Sequence, residues 1–316
     1  MSEAERSSGK KVLFFASQRA LGGKGSNMKT LRKIVTAFLV VSVVAIGTSQ
    51  AMPSLGSAQS FAVLGHETVT NGHSSPNPTT QIYGNLGVTP GTSVTGFYPD
   101  GTVSGGTIHI NDGVAQLALA DVTTAYNTLA GLSPTSNLTG QVLGSPGYNT
   151  LTPGVYRFDS SAQLTGPLTL DFQGNPNADF IFQIGSTLTT ASGSSVNVIN
   201  GDNFSGVYWQ VGSSATLGTD TMFAGNILAS ASVGLDPRAQ ILCGRAFALN
   251  GAVTLTDNPI SNDNTAEDFG SGRSDFGSYG FSGGSAAPVV PEPSTMLLLG
   301  PGLAGLVAFR KRFKKA

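Results

Sequence analysis

The side chains that could carry out chemistry are few and widely spaced along this chain of 316 residues. Asp171 and Asp179 are near one another in sequence, and Glu67 and Asp220 could lie on one side of a sheet. Glycoside hydrolases need paired carboxylates in a groove, but no recurring pair, Ser/His/Asp motif or phosphate-binding loop is present. We therefore expect no catalytic residues and no enzymatic activity.

The histidines and the cysteine give no metal site either. His66, His73 and His109 lack the spacing of metal ligands, and we interpret them as surface or turn residues. The one cysteine, Cys243, lies among apolar residues in QILCGRAF and is predicted to fill core as a small hydrophobe. A single cysteine cannot form a disulfide within the chain. We predict no metal and no cofactor.

The charge distribution limits the partners. Between Leu55 and Ile260 the basic side chains are Arg157, Arg238 and Arg245, and carboxylates outnumber them. Nucleic-acid binding requires clustered Lys and Arg, so we expect no nucleic-acid partner. The 42 glycines in the chain indicate many tight turns.

A repeat of short strands organises the middle of the chain. FIFQIGSTLTT at 180–190 is echoed by VYWQVGSSATLGT at 207–219, and a period of roughly 25 residues with Gly, Ser and Asn turns is typical of a solenoid. Weaker copies place a central Leu or Val between small polar residues. Because successive side chains of a strand point to opposite faces, these central residues are predicted to point inward together: Val69, Val94, Leu164, Leu188, Leu217 and Leu235.

The flanking residues are then predicted to form one flat outward face. Stacked coils lie roughly 4.7–4.9 Å apart, so hydroxyls and methyls would make a two-dimensional grid, which suits a partner that is itself a lattice. Thr and Ser on an exposed strand also make ordinary solvated β surface. The predicted outward positions are Thr68, Thr70, Ser93, Thr95, Gln163, Thr165, Thr187, Thr189, Thr216, Gly218, Gly234 and Asp236.

Residues 112–131 break this rhythm and predict one long helix. Asp112 can cap its start and Gly131 its end. A lone helix must bury its apolar stripe, and we expect it to pack on the solenoid face formed by VYRF, FIFQI, VYWQV and AFAL, whose strands are apolar on both sides. The apolar residues at helical spacing include Val114, Leu117, Ala118, Ala125 and Leu129.

Segments across residues 55–260 resemble the microbial ice-binding protein family, among them FAVLGHETVTN, GNLGVTPGTSVTGF, FIFQIGSTLTTASGSSV, VYWQVGSSATLGT and GRAFALNGAVTL. The resemblance implies a mainly β fold: a discontinuous right-handed β-solenoid (β-helix), triangular in section, with one long α-helix packed along one face. It also implies a non-catalytic monomer that adsorbs to the ice crystal surface and inhibits ice growth or recrystallisation. A non-catalytic extracellular adhesin or matrix-binding β-solenoid is the alternative.

The resemblance transfers to specific positions. Gly234, Asp236, Pro237, Arg238 and Gln163 depart from the Thr- and Asn-like residues of such coils and are expected to weaken the grid there. The ice-binding residues are predicted to be Thr68, Thr70, Ser93, Thr95, Thr165, Thr187, Thr189, Thr216 and Thr219.

The N-terminal region resembles an export signal. A basic MKTLRK, an apolar IVTAFLVVSVVAIG and the small residues of SQA predict a signal peptide at 28–51. Residues 1–27 are interpreted as an upstream extension; a cytosolic segment before a membrane anchor is the alternative. Residues 52–260 then form the exported solenoid domain.

The C-terminal region resembles a sorting signal. Residues 261–289 read as a flexible Gly/Ser-rich linker. Residues 290–316 combine Pro291-Glu292-Pro293, an apolar stretch at 296–309 and a basic tail, as PEP-CTERM signals do. This implies exosortase-type processing at Pro291-Glu292-Pro293, transient membrane association through 296–309, and export to the cell envelope or extracellular matrix of a Gram-negative bacterium. A plain membrane anchor is the alternative, but the apolar stretch is short for a span.

Overall fold

The computed structural model describes residues 54–72, 80–175, 178–201 and 206–262. The predicted upstream extension at 1–27, the predicted signal peptide, nearly all of the linker, the sorting segment and His73 lie outside these ranges. The described part contains a short 3₁₀ helix (Gly56–Ser60) and one α-helix, α1 (Gly113–Ala130). No described helix is both long and apolar enough to cross a membrane.

The described strands are short and follow one another in the chain as β1 (Phe61–Gly65), β2 (Thr68–Gly72), β3 (Thr80–Tyr83), β4 (Asn85–Val88), β5 (Ser93–Thr95), β6 (Gly101–Ser104), β7 (Ile108–Ile110), β8 (Ser136–Asn137), β9 (Val142–Leu143), β10 (Thr150–Leu151), β11 (Gly154–Phe158), β12 (Ala162–Leu164), β13 (Pro167–Asp171), β14 (Asp179–Ile184), β15 (Leu188–Thr190), β16 (Ser195–Ile199), β17 (Gly206–Val211), β18 (Ala215–Leu217), β19 (Met222–Ala229), β20 (Val233–Leu235), β21 (Gln240–Ala248), β22 (Val253–Thr256) and β23 (Pro259–Ser261).

These strands stack in parallel on three faces, as the predicted triangular β-solenoid requires. We call the sheet β5-β2-β22-β20-β18-β15-β12-β9 the threonine face. The helix face consists of β7, β4, β1, β17, β14, β11, β8 and the second halves of β19 and β21. The second face consists of β6, β3, β23, β16, β13, β10 and the first halves of β19 and β21.

The solenoid is discontinuous in chain order. Strands made before α1 stack on the last coil of the chain, because β1 pairs with β21, β2 with β22 and β3 with β23. The coils formed after α1 continue the stack in the other direction. Among the described strands, β5, β6 and β7 therefore stand at one end of the solenoid and β8, β9 and β10 at the other.

The interior holds aliphatic rows and an aromatic stack. The rings of Phe182 and Trp209 lie 3.9 Å apart and nearly parallel, and the Tyr156 ring is 5.5 Å from that of Phe182. Trp209 Nε1 donates to the Ala224 carbonyl at 3.1 Å, which satisfies its one polar atom. Cys243 is fully buried in the same core, as predicted.

Helix α1 packs on the predicted face. Asp112 caps it by accepting a hydrogen bond from Ala115 N at 2.9 Å, and Gly131 is the C-cap. The assignment of Val114 and Leu117 to the buried stripe was wrong, since they are 47% and 58% exposed. Ala118, Ala125 and Leu129 are buried as predicted. Together with Val122 they belong to the hydrophobic cluster that contains Ile181, Tyr208, Leu228 and Phe247 of the helix face. The buried helix residues are Ala115, Ala118, Val122, Ala125 and Leu129.

Candidate functional site

One outward row of side chains crosses the whole threonine face. Seven gaps between eight strands give it a length of roughly 34 Å at the usual strand spacing. Thr95, Thr254, Thr216 and Thr189 are exposed, and Thr70 is partly exposed. The pairings place these residues side by side in the order Thr95, Thr70, Thr254, Gly234, Thr216, Thr189, Gln163 and Val142, which we call the central row.

Buried residues on both sides of the central row hold it flat. The six strands from β2 to β12 in this sheet each have one buried residue before and one after the outward residue, as strand alternation requires. These side chains fill the core under the face, so the outward hydroxyls stand on a packed support. The fully buried members include Val69, Leu164, Leu188, Leu217, Val233, Val253 and Leu255.

The six residues predicted to form one inward column divide between two rows, with Val69, Val94 and Leu188 in one and Leu164, Leu217 and Leu235 in the other. Leu188 pairs with Ala162 and Ala215, whereas Thr190 pairs with Leu164 and Leu217. Thr190 is buried because its hydroxyl finds partners inside, accepting from Gly218 N at 2.9 Å and lying 2.8 Å from Thr221 Oγ1. There are thus two inward rows rather than one.

A second line of hydroxyls runs beside the central row at the start of the strands. Ser93 pairs with Thr68, and Thr187 Oγ1 donates to Ser161 Oγ at 2.8 Å. Ser214 Oγ accepts from Ser232 N at 3.3 Å. Ser161, Ser214 and Ser232 were not predicted, although each precedes a strand of the repeat.

Two predicted positions lie beyond the strand ends. Thr165 is exposed and follows the last residue of β12, and its N–H donates to Leu143 O. Thr219 lies in the turn after β18, next to Asp220, whose φ is +58°. Neither residue belongs to the central row.

Gly218 was wrongly predicted to point outward. It is buried, and a Cβ at this position would lie 2.5 Å from Thr190 O. The chain already turns away from the threonine face at Gly218, which excludes a side chain. Asp236, also predicted outward, is exposed just after β20.

Thr254 is the threonine of the central row that the sequence analysis missed. It lies on β22, is exposed, and pairs with Thr70 on one side and Gly234 on the other. Its segment, AVTLT at 252–256, has the same apolar and polar alternation as the other repeats. That alternation could have identified Thr254 as an outward residue. The segment was instead interpreted as the end of the domain, because it follows a long apolar strand.

Charge is confined to the margins of the threonine face. None of the residues in its eight strands is ionisable. Arg238 and Asp220 form a bidentate pair in the corner turns, with nitrogen to oxygen distances of 2.6 and 2.8 Å. The Arg238 guanidinium holds the pKa of Asp220 below its usual value. Glu67 is exposed in the turn before β2.

The remaining candidates for chemistry are not brought together. Asp171 lies on β13 of the second face, and hydrogen bonds from Asn200 and Gln173 N lower its pKa. Asp179 lies on β14 of the helix face, where burial raises its pKa to about 7. His109 Nδ1 lies 2.8 Å from Asp112 Oδ2 beside the helix N-terminus. Within the described ranges, no three His, Cys, Asp or Glu side chains could hold a metal ion.

A flat, uncharged sheet of hydroxyls on a rigid solenoid is typical of a protein that binds an extended surface. The family model described as Ice-binding-like matches residues 63–261, and the chain belongs to this family. The PEP-CTERM protein-sorting motif matches residues 289–312. Both predicted resemblances are thereby confirmed.

Individual relatives agree with the family. An ice-binding protein of Nostoc sp. (strain HG1) is 48% identical over 285 residues, which cover 88% of this chain and 96% of that protein. A crystal structure of an ice-binding protein from an Antarctic biological consortium superposes with a TM-score of 0.60 at 42% identity, covering 69% of this chain and 95% of the other. One from the ascomycete Antarctomyces psychrotrophicus gives 0.60 at 37% identity, with 67% and 98% covered.

Proposed function

We propose that this protein is exported and adsorbs to ice through the threonine face, which inhibits ice growth, recrystallisation or both. The observation that carries the proposal is the central row, in which five threonines on eight stacked strands stand over a packed core. The names of the related ice-binding proteins support the same partner.

The proposed mechanism follows from spacing and rigidity. Threonine hydroxyls and methyls repeated at roughly 4.8 Å along the row can order water into a layer that merges with the surface of a crystal. The absence of ionisable groups from the eight strands leaves that layer free of strongly bound hydration water. Because the face is held rigid by its core, adsorption costs little conformational entropy. Adsorbed molecules then force the ice front to curve between them.

The contact residues follow from position on the face. We assign the main contacts to the threonines of the central row and a flanking role to Thr68, Ser93 and Thr187. Thr165 and Thr219, beyond the strand ends, are assigned marginal roles. The main contacts are Thr70, Thr95, Thr189, Thr216 and Thr254.

The rest of the functional assignment concerns processing and location. We propose that residues 28–51 direct export, that 52–260 act as a non-catalytic monomer, and that 261–289 link this domain to the sorting segment at 290–316. Processing at Pro291-Glu292-Pro293 would release the protein to the extracellular matrix or the cell envelope. The PEP-CTERM match supports export.

An adhesin or matrix-binding solenoid is the second candidate, favoured by the same sorting motif. Ice grown in the presence of the fluorescently labelled protein separates the two functions. Faceted crystals coated with label support ice binding, whereas smooth, unlabelled crystals would contradict it.

A matched pair of substitutions assigns the face. Thr189→Tyr inserts a ring into the central row beside Thr216 and should abolish coating. Thr169→Tyr makes the same change on the second face, at a partly exposed residue of β13, and should leave coating intact. Loss of coating in Thr169→Tyr alone would instead assign ice binding to the second face.

A further inference from the structure

One end of the solenoid leaves its core open. Ile108 and Ile110 of β7 pair with Leu86 and Val88 of β4. The two β4 residues are fully buried inward side chains, so both isoleucines point toward the core as well. They are nevertheless 44% and 47% exposed, because no further described strand stacks on β7. We call the coil formed by β5, β6 and β7 the open end.

The strands of the open end belong to all three faces, and between β5 and β6 Phe97 is buried in the core. Val94 of β5 and Val103 of β6 are also inward residues that are only partly buried. Tyr98, between these two strands, is 96% exposed. Terminal repeats of solenoids usually need a polar cap, because otherwise their core faces and strand edges are left to solvent.

The opposite end is closed. In the coil formed by β8, β9 and β10, Leu143 is fully buried, and Leu138 and Leu151 are less than a tenth exposed. The connecting loop is tied by backbone hydrogen bonds, including Gln141 N to Leu138 O at 2.9 Å and Tyr148 N to Ser145 O at 2.8 Å. The lack of a cap is therefore specific to the open end among the described residues.

The chain leaves the described domain close to the open end. Asn262 N donates to Tyr83 O at 3.3 Å, and Gly84 N donates to Ser104 O in the next coil. Asn262 thus lies against the corner that leads into β4, and the corner that leads into β7 is one coil further along the stack. Two strand steps separate β23 from the terminal strand β6, a distance of roughly 10 Å. The seven residues from Asn262 to Phe269 can span roughly 24 Å.

The segment that follows has the composition of a partner for such a surface. The family match ends at residue 261 and the sorting motif begins at 289. Between them the chain reads AEDFGSGRSDFGSYGFS at 266–282, with Phe269, Phe276, Tyr279 and Phe281 separated by small residues. Flexible Gly/Ser linkers need no aromatic side chains, so these four call for another explanation.

We propose that residues 266–282 fold back and cap the open end, with their aromatic side chains packed on Ile108, Ile110 and the adjacent inward valines. A tether this short gives an effective concentration in the mM range, which favours the chain's own segment over a second copy. The cap also fixes the start of the sorting tether at the end of the solenoid. The threonine face, which runs along the axis, stays clear.

Amide hydrogen exchange of β7 in the full-length chain tests the proposal. The test variant carries Phe276→Ser, Tyr279→Ser and Phe281→Ser, and the control carries Glu267→Ser, Arg273→Ser and Asp275→Ser in the same segment. With an effective concentration of about 1 mM and a segment affinity of about 0.1 mM, the cap is closed about nine tenths of the time. The aromatic variant should then exchange the β7 amides about tenfold faster than the parent chain, and the control should not.

The outcomes separate the two occupants. Equal β7 exchange in the parent and the aromatic variant would overturn the proposal. Protection that rises with protein concentration, together with a dimer in light scattering, would assign the open end to a second copy and overturn it too. Both variants keep the solenoid sequence unchanged, so a difference in β7 exchange between them reports on residues 266–282 and not on a changed solenoid.

Discussion

Gly234→Thr should strengthen both the fold and the proposed ice contact. Gly234 is the glycine of the central row, paired with Thr216 and Thr254. A Cβ at this position meets no atom within 4 Å, and the φ angle lies outside the left-handed region. Removing a strand glycine contributes about 0.5–1 kcal/mol, and each new Thr–Thr cross-strand pair about 0.2 kcal/mol or more. A gain of about 1 kcal/mol should raise the Tm by roughly 2–4 °C.

Gly218→Thr is the matched control, because sequence reasoning placed Gly218 and Gly234 on the same face. At Gly218 the new Cβ would meet Thr190 O at 2.5 Å and Ser192 N at 3.1 Å. We expect it to lose at least about 1–3 kcal/mol, the usual cost of overpacking.

Circular dichroism melting and thermal hysteresis measure the two effects. Gly234→Thr should melt higher and give greater hysteresis, since the new side chain joins Thr216 to Thr254 in an unbroken row. A lower melting temperature for Gly234→Thr than for the parent would refute the placement of Gly234 in the central row. A higher melting temperature with unchanged hysteresis would refute the role of that row in ice binding.

Three further substitutions test the packing behind the faces. Arg245→Met removes two hydrogen bonds to Gln59 O, at 2.7 and 3.0 Å, and should lower the free energy of unfolding by about 1–3 kcal/mol. Amide exchange at residues 56–60 should become faster, and unchanged exchange would contradict this prediction. Burial raises the pKa of Asp179 to about 7 from 3.8, so the folded state holds its proton longer and stability should fall as pH rises from about 4 to 7. In urea unfolding, Asp179→Asn should make the free energy of unfolding less dependent on pH between about 4 and 7. An unchanged pH dependence would assign it to another group. Thr190→Val leaves Gly218 N without its acceptor at 2.9 Å and should cost about 1–3 kcal/mol in the same assay; a neutral result would rule out that bond as a support of the turn.

The fold was predictable because its signals are local or repeated. Asp112 and Gly131 mark a helix that runs Gly113–Ala130 with Asp112 as its N-cap. Strands such as FIFQI and VYWQV are apolar on both sides and therefore identify the face that the helix covers. A gap in the repeat at α1 does not itself reveal that β1 to β3 stack on the last coil, and the discontinuous order came from the family resemblance.

The sequence predicts that an outward threonine-rich face exists, but it does not predict which residues of neighbouring strands pair on that face. The phrases around Leu188 and Leu217 look equivalent in sequence, yet Thr190 and not Leu188 pairs with Leu217. A buried threonine cannot be told from an exposed one without the groups that satisfy its hydroxyl, which here come from Gly218 and Thr221. Those partners are distant in sequence, so the true row emerges only in three dimensions.

Thermal hysteresis of Thr254→Tyr and Thr219→Tyr tests the central row most directly. Thr254 lies in the row beside Thr70 and Gly234, whereas Thr219 lies in a corner turn. Surface substitutions usually change stability by no more than about 0.5 kcal/mol, so both variants should remain folded. We predict that Thr254→Tyr loses most of its hysteresis and that Thr219→Tyr keeps it. Full activity in folded Thr254→Tyr would contradict the assignment of the threonine face.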